Sequence, residues 1–133
     1  MLEPNAIQMK GFKNVTRDGQ ITGFQLRVHC PYYRGIWASL IEQVEVTVDG
    51  ERFAPERIRL GLGGKTFSPA ELAGASDTRW PYEEPAILTV DKPGGLAPGL
   101  HDIQVSVIWR WSYIPVEFQP TTNISKRRLV LVQ

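Results

Sequence analysis

The sequence predicts an all-β fold: an antiparallel β-sandwich with one short helix, formed as a single domain by residues 1–133. Two patterns support this fold class. Short runs alternate between apolar and polar residues, which sends every second side chain to a core. Turn signals separate these runs about every ten residues, as is typical of β-sandwiches, and an open barrel is the alternative. A chain of 133 residues also has the usual size of one domain.

Four segments are predicted to be strands from their own patterns. Residues 24–28 and 44–48 carry apolar side chains at every second position, and residues 103–111 form a longer alternating run that ends in two tryptophans. Residues 128–132 are largely apolar on both faces. This predicts a final strand near the centre of a sheet, because a strand with two apolar faces needs cover on both sides.

Glycine and proline mark the connections between strands. The pairs Asp18-Gly19 and Asp49-Gly50 favour the positive backbone angles of a two-residue turn, so two hairpins are expected. The proline- and glycine-rich residues 93–99 are predicted to join a strand at 86–90 to one at 100–111 as antiparallel neighbours.

One short helix is expected at residues 68–72. Ser68 can cap its amino end, Pro69 suits the first helical position, and Glu71 can reach back to complete a capping box. The segment makes about one and a half turns before Gly74.

The charge balance points to no charged partner. Fifteen Lys and Arg residues against fourteen Asp and Glu residues give a net charge of +1, so neither nucleic acid nor a membrane is an expected partner. The basic run at residues 126–128 is too short for a nucleic-acid patch and is interpreted as a solubilising flank of the last strand. The single cysteine, with no secretory or membrane-length segment, predicts a cytoplasmic protein.

The residues that could carry chemistry are few and scattered. His29 and His101 do not have the spacing of metal ligands, and no metal site is expected in this chain. His101 and Asp102 are neighbours in a strand, so they face opposite ways, and His101 is interpreted as a surface or edge histidine. Cys30 is interpreted as a small buried hydrophobe.

Two further motifs have an ordinary structural explanation. Residues 59–66 end in Gly-Lys-Thr like a phosphate-binding loop, but Arg59 replaces the opening glycine and no long helix follows, so a glycine-rich turn is expected. Glu83 and Glu84 are an acidic pair that could hydrolyse a glycoside only if their carboxyl groups lay across a cleft. Adjacent glutamates usually face solvent, so no catalytic residue is predicted.

Aromatic residues give a more specific signal. The segment 31–37 combines Tyr32, Tyr33, Arg34 and Trp37 with a proline and a glycine, a composition typical of binding hot spots. Because a turn is a poor place to bury a core, Tyr32, Tyr33 and Arg34 are expected to contact a partner, and together with Trp37 they are the predicted partner interface. A second aromatic group contains Trp109 and Trp111, for which core packing and partner contact both stay open.

Several blocks of the sequence resemble a known family, the small β subunit of bacterial C-glycoside deglycosidases. The likeness runs in order from about Phe12 to Val132. Its most specific parts are Pro-Tyr-Tyr-Arg-Gly at residues 31–35 and Lys-Pro-Gly-Gly-Leu-Ala-Pro-Gly at residues 92–99. The other matching segments lie at residues 23–28, 39–42 and 46–51.

The resemblance implies a subunit of a carbon–carbon lyase. In that family a barrel-type catalytic α subunit is expected to hold a divalent metal, with manganese the expected ion, together with the catalytic bases. The β subunit is expected to be a sandwich docked on it, in a hetero-oligomer that cleaves 3-keto C-glycosides. The resemblance implies no catalytic residue, metal ligand or cofactor in the present chain. Trp80, expected in a loop after the helix, is a possible wall of the substrate pocket.

Two other functions fit the sequence. A sandwich with exposed tryptophans could be a free-standing carbohydrate-binding module that stacks its rings on sugars. A self-contained hydrolase using Glu83 or Glu84 is the third hypothesis.

Overall fold

The computed structural model describes residues 6–32, 34–110 and 121–132. Its main elements are antiparallel strands and a single short helix. In chain order they are β1 Lys13–Arg17, β2 Gln20–Val28, β3 Ile36–Trp37, β4 Ile41–Val48, β5 Glu51–Phe53, β6 Ile58–Leu62, β7 Lys65–Phe67, α1 Pro69–Ala73, β8 Arg79–Trp80, β9 Ala86–Asp91, β10 Gly99–Trp109 and β11 Thr121–Leu131. Two 3₁₀ turns, Ala38–Leu40 and Pro55–Arg57, precede β4 and β6.

The strands form two main sheets and a small third one. One sheet has the order β1-β2-β9-β6-β7, the second has the order β11-β10-β4-β5, and β3 pairs with β8 alone. The described strands do not close into a barrel, and the predicted all-β sandwich is confirmed. The predicted strands at 24–28 and 44–48 lie in β2 and β4, and residues 103–109 lie in β10.

Buried side chains from both sheets meet in one core. Phe24 of β2 and Phe53 of β5 contact edge to face with ring centroids 5.4 Å apart, which joins the two sheets directly. Trp109 lies in this core with 4% of its surface exposed, so core packing accounts for it. Trp111 lies outside the described residues.

Both predicted hairpins are confirmed. Asp18 and Asp49 have positive φ angles of 53° and 50°, and each is followed by a glycine with φ near 80° or above. These turns join β1 to β2 and β4 to β5. Such angles are unfavourable for most residues but tolerated by aspartate and glycine, which is why the Asp-Gly signal was reliable.

The prediction that the strands on either side of residues 93–99 pair with each other is wrong. β9 lies between β2 and β6, and β10 lies between β4 and β11, so each is already hydrogen-bonded on both edges. The connection therefore crosses from one sheet to the other. A turn sequence predicts that the chain reverses direction, but it does not determine which strands then pair by hydrogen bonds.

The prediction of a central final strand is also wrong. β11 lies at the edge of its sheet, paired only with β10 among the described strands. Leu129 and Leu131 point to the core and are buried, whereas the intervening Val130 is 54% exposed and Val132 is 73% exposed. The apolar residues on the outer face thus lie at the surface of the chain.

The predicted helix is confirmed together with its capping box. The Ser68 backbone N–H donates to Glu71 Oε1 at 2.8 Å, and the Glu71 N–H donates to Ser68 Oγ at 3.3 Å. The hydrogen bond that the Ser68 backbone donates to the Glu71 carboxylate, followed by the influence of the Ser68 side chain, lowers the pKa of Glu71. Leu72 is the buried residue of the helix. No helix in the described part of the chain has the length and apolar composition needed to cross a bilayer.

Candidate functional site

The predicted interface segment lies at the small two-stranded sheet, β3–β8. Ile36 pairs with Trp80 and Trp37 pairs with Arg79, so the segment 31–37 is held against residues that follow the helix. The nearby strand β4 begins at Ile41, which pairs with Trp109 at the end of β10. The site therefore sits at one end of the sandwich, beside the Trp109 end of the four-stranded sheet.

Arg79 organises this end of the molecule. Its guanidinium lies over the Trp37 ring, 5.2 Å from the centroid, and its Nη2 donates a hydrogen bond to the Arg34 carbonyl. One side chain thus contacts both an aromatic ring and the backbone of the preceding turn. A cation over an indole at a partly exposed position contributes about 0.5–1 kcal/mol.

Gly35 makes this close approach possible. Its φ is +79°, and a Cβ placed on it would lie 2.8 Å from Arg79 Nη2 and 2.9 Å from the Trp80 carbonyl oxygen. Both the backbone angle and the space therefore require glycine. The glycine of the Pro-Tyr-Tyr-Arg-Gly block has a structural reason to be there.

The structure places three of the four predicted interface residues close together. Arg34 is exposed, Trp37 is 40% exposed, and Tyr32 is half-buried with its ring packed against the core. Tyr33 lies outside the described residues. That these residues contact a partner stays a prediction.

Trp80 is not in a loop, as expected from the sequence, but in strand β8. Its side chain is wholly buried, and its Nε1–H donates to the Glu84 carbonyl at 3.2 Å. As placed, the ring presents no surface to a substrate, so its role as a pocket wall stays a prediction without support from its position. A surface cavity of about 260 Å³ lies next to Trp80 in the sequence and is bordered by Arg34, Arg79, Pro81, Tyr82 and Glu83.

Sequence reasoning missed Arg79 and this cavity. Arg79 lies more than forty residues from Arg34 along the chain. An isolated arginine before a tryptophan carries no motif, so only the pairing of β3 with β8 reveals its role.

Cys30 borders the site from inside. It is buried, and that burial raises the pKa of its thiol to about 11, although the Tyr32 and Ile36 backbone and the Arg79 charge oppose the shift. A thiol of this kind is protonated at neutral pH and is a poor nucleophile. The interpretation of Cys30 as a buried hydrophobe is confirmed.

His29 and His101 are both buried, and β10 lies between two other strands, so the interpretation of His101 as a surface or edge histidine is wrong. The Gln8 side-chain amide donates from Nε2 to His29 Nε2 at 2.8 Å. His101 contacts the Asp49 carboxylate, whereas Asp102 faces the other way and binds Arg128, as the strand geometry predicted. Burial follows because the inward positions of β10 begin at His101.

The glycine-rich turn and the Glu83–Glu84 pair were the two remaining motifs. Gly63 and Gly64 have positive φ angles and form the turn between β6 and β7, as predicted. Glu83 and Glu84 are both exposed in the segment between β8 and β9. Both side chains therefore face solvent, as expected for adjacent glutamates.

The described residues offer no fit for a resident metal ion. Within residues 6–32, 34–110 and 121–132, no three His, Cys, Asp or Glu side chains come close enough to bind one together. No reaction step through a metal is therefore assigned to this chain.

Fold and site together define an all-β sandwich with an aromatic and arginine-rich surface at one end. The profile of the C-glycoside deglycosidase beta subunit family matches residues 2–113, which include all the residues named in this site. The chain belongs to the C-glycoside deglycosidase beta subunit family.

Curated relatives support this assignment. The C-glycoside deglycosidase beta subunit of Eubacterium cellulosolvens (strain ATCC 43171 / JCM 9499 / 6) is 36% identical over 130 residues, covering 97% of this chain and 88% of that protein. The 3'-dehydrocarminate deglycosidase beta subunit of a Microbacterium species is 35% identical over 100 residues, 74% of each chain. A C-glycoside deglycosidase beta subunit of Arthrobacter globiformis is 29% identical over 111 residues, 79% of each chain.

Proposed function

We propose that this chain is the non-catalytic β subunit of a heteromeric C-glycoside deglycosidase that cleaves the carbon–carbon bond of 3-keto C-glycosides. It stabilises a barrel-type catalytic α subunit and shapes one side of its substrate pocket. The observation that carries the proposal is membership of the beta subunit family, whose model matches residues 2–113 and so includes every described strand except β11. The relatives' names speak of a beta subunit, which supports a second, different subunit.

The proposed substrate class rests on one relative and on chemical reasoning. The Microbacterium relative is named for a 3'-dehydro compound, a name that describes oxidation at a 3' position. A C-glycoside has no glycosidic oxygen to protonate, so the two-carboxylate route of ordinary glycosidases lacks its leaving group. A ketone at C3 makes the C2 hydrogen acidic. A base can then remove it, C1 and C2 become doubly bonded, and the bond from C1 to the aryl carbon breaks while that carbon takes up a proton.

The catalytic base and the divalent metal, for which manganese is the expected ion, are proposed to belong to the α subunit. The described residues of this chain bring together no metal-binding set. Its two histidines are buried within the sandwich, and its cysteine is a protonated thiol. Its contribution is therefore proposed to be a surface.

The proposed surface consists of Tyr32, Arg34, Trp37 and Arg79. Tryptophan, tyrosine and arginine are the residue types that most often dominate protein interfaces. Arg79 holds the Trp37 ring in place by lying over it, which fixes the ring before a partner arrives. A side chain that is already ordered loses less conformational entropy on binding.

The test is co-expression with a candidate α subunit, followed by measurement of the dissociation constant and of cleavage of a 3-keto C-glycoside. We expect Trp37→Ala and Arg34→Ala each to weaken association by about thirty-fold. The control is Leu100→Ala, because Leu100 is 63% exposed but lies at the opposite end of β10 from Trp109. Unchanged association after replacement of Tyr32, Arg34 and Trp37 together would contradict the interface assignment.

The isolated chain separates the proposal from its alternatives. We expect it to show no cleavage and no heat of binding with free sugars in calorimetric titration. Turnover by the purified chain alone would overturn the non-catalytic role. Sugar binding by the lone chain would instead support a carbohydrate-binding module.

A further inference from the structure

The histidine of β10 sits between two hydrogen-bond acceptors. His101 Nδ1 lies 2.6 Å from Asp49 Oδ2, and its Nε2 lies 2.6 Å from the carbonyl oxygen of Ala97. A carboxylate and a carbonyl can only accept hydrogen bonds. A neutral imidazole has one N–H, so it can satisfy only one of them, whereas the imidazolium donates to both.

The surroundings of the ring make this arrangement consequential. The His101 side chain is 11% exposed, and Phe12 contacts it edge to face at a centroid distance of 6.1 Å. A ring nitrogen that has lost its proton points its lone pair at the oxygen lone pairs of its acceptor, so losing the proton is costly there.

His101 joins two parts of the fold that are distant in sequence. Ala97 belongs to the loop 93–99, which crosses between the sheets and ends on Gly99, the first residue of β10, and Asp49 belongs to the β4–β5 turn. The Asp49 carboxylate also accepts the Asp102 backbone N–H at 2.8 Å, while the Asp49 N–H donates to the Asp102 carbonyl. The turn, the strand and the loop therefore meet at a single side chain.

The other side of the same loop is held without any titrating group. Asn14 of β1 donates from its Nδ2 to the Leu96 carbonyl and accepts the Leu96 N–H with its Oδ1, both at 2.9 Å. The loop is thus fixed to the five-stranded sheet by an amide and to the four-stranded sheet by a histidine. Only the second attachment can respond to pH.

We propose that His101 is a proton-dependent clamp: as an imidazolium it ties the loop 93–99 to the β4–β5 turn, and on deprotonation it releases the loop at Ala97. The clamp is independent of any partner subunit and of the proposed enzymatic role. It makes the attachment between the two sheets at this corner stronger in acid than in base.

The charges around the clamp favour the protonated ring. Burial lowers the pKa of His101 and is the largest single effect, but the hydrogen bonds to Ala97 and Asp49 together outweigh it and raise the pKa. The hydrogen bond from His101 is in turn the main cause of the lowered pKa of Asp49. Two ion pairs of described residues flank the clamp: Asp102 with Arg128 at 2.8 Å, and Glu51 with Lys92 at 3.5 Å.

An NMR titration of the full chain tests the clamp. The chain has two histidines, so it gives two Cε1–H ring signals, and His101→Gln assigns them. We expect the His101 signal to titrate above the ordinary histidine value of about 6.5. Asp49→Asn keeps the acceptor for the Asp102 N–H and suits the turn, because Asn-Gly also favours positive φ, and it should move the titration to lower pH.

The control variant and a second measurement complete the test. Asp91→Asn removes an exposed carboxylate that pairs with Arg59 in the other sheet, and it should leave the His101 titration unchanged. The carbonyl carbon-13 signal of Ala97, whose oxygen loses its hydrogen bond on release, should move as His101 titrates, while the carbonyl signal of Leu96, which Asn14 holds, should stay in place. Titration of His101 at or below the ordinary value, or an Ala97 carbonyl signal that does not move through the His101 transition, would overturn the clamp.

Discussion

The two ends of the sandwich use a cation in different ways. At the β3–β8 end, Arg79 lies over a Trp37 ring that is 40% exposed, while at the other corner His101 is enclosed with Asp49 and Phe12. Arginine stays charged throughout the physiological range, so the first contact is insensitive to pH and can face a partner. Histidine can lose its proton, so the second contact is titratable, and it lies in the interior of the fold. The comparison separates a surface suited to association from a contact that holds the fold.

The largest expected effect concerns the β3–β8 end, where Trp80 is expected to support the fold and Trp37 to contact a partner. Trp80→Ala should lower the free energy of unfolding by about 3–5 kcal/mol, because it empties a fully buried site. Trp37→Ala should cost less than about 1 kcal/mol, since its ring is partly exposed and its main loss is the contact with Arg79. Urea unfolding of both variants measures the difference. Equal losses would mean that Trp37 is a core residue and not an interface residue.

Much of the fold could be predicted because its signals are local. Alternation over residues 24–28 and 44–48 fixes which side chains face the core, and Asp18 and Asp49 tolerate the positive φ of their turns. The capping box of α1 needs only residues three apart. Each of these features is decided by neighbours in the sequence.

What sequence reasoning missed depends on partners far along the chain. β11 was expected to be central because its pattern is apolar on both faces, and a pattern cannot show which edge of a sheet a strand will occupy. Asp49 and His101 are 52 residues apart, and Arg79 and Arg34 are 45 apart. Neither pair has a spacing that a motif could record, so both appear only once the strands are assembled.

The second prediction separates backbone strain from crowding at the candidate interface. Gly35 and Gly19 have the same φ of +79°, but a Cβ at Gly35 would meet Arg79 and Trp80, while one at Gly19 meets nothing within 4 Å. Gly19→Ala should therefore cost only the left-handed backbone angle, about 1–2 kcal/mol. Gly35→Ala should cost about 1–3 kcal/mol more from overpacking. Equal losses in urea unfolding would show that the space beside Gly35 is not tight.

The third prediction gives the sign of the pH dependence at the other corner. His101 has a raised pKa in the folded state, so its contribution to stability is fully present below the ordinary histidine pKa and is lost as the pH rises through the raised value. The lowered pKa of Asp49 acts at the acid end, where its contribution is lost as the pH falls through that value. The free energies of unfolding of the wild type and of His101→Gln should therefore differ more at about pH 5.5 than at about pH 9. Parallel stability curves would remove His101 as the cause.

The smallest expected effect sets the boundary of the clamp. Arg128 pairs with Asp102 at 2.8 Å, directly beside the Asp49–His101 contact, but both side chains are about two-thirds exposed. An exposed ion pair is only slightly more stable than the two charges hydrated separately. Arg128→Gln should therefore leave the free energy of unfolding unchanged within error. It should also leave the His101 titration nearly in place, because Arg128 is the weakest of the influences on Asp49. A large downward shift of that titration would mean that the clamp extends to β11, and that the corner works as a charge network and not as one histidine with two acceptors.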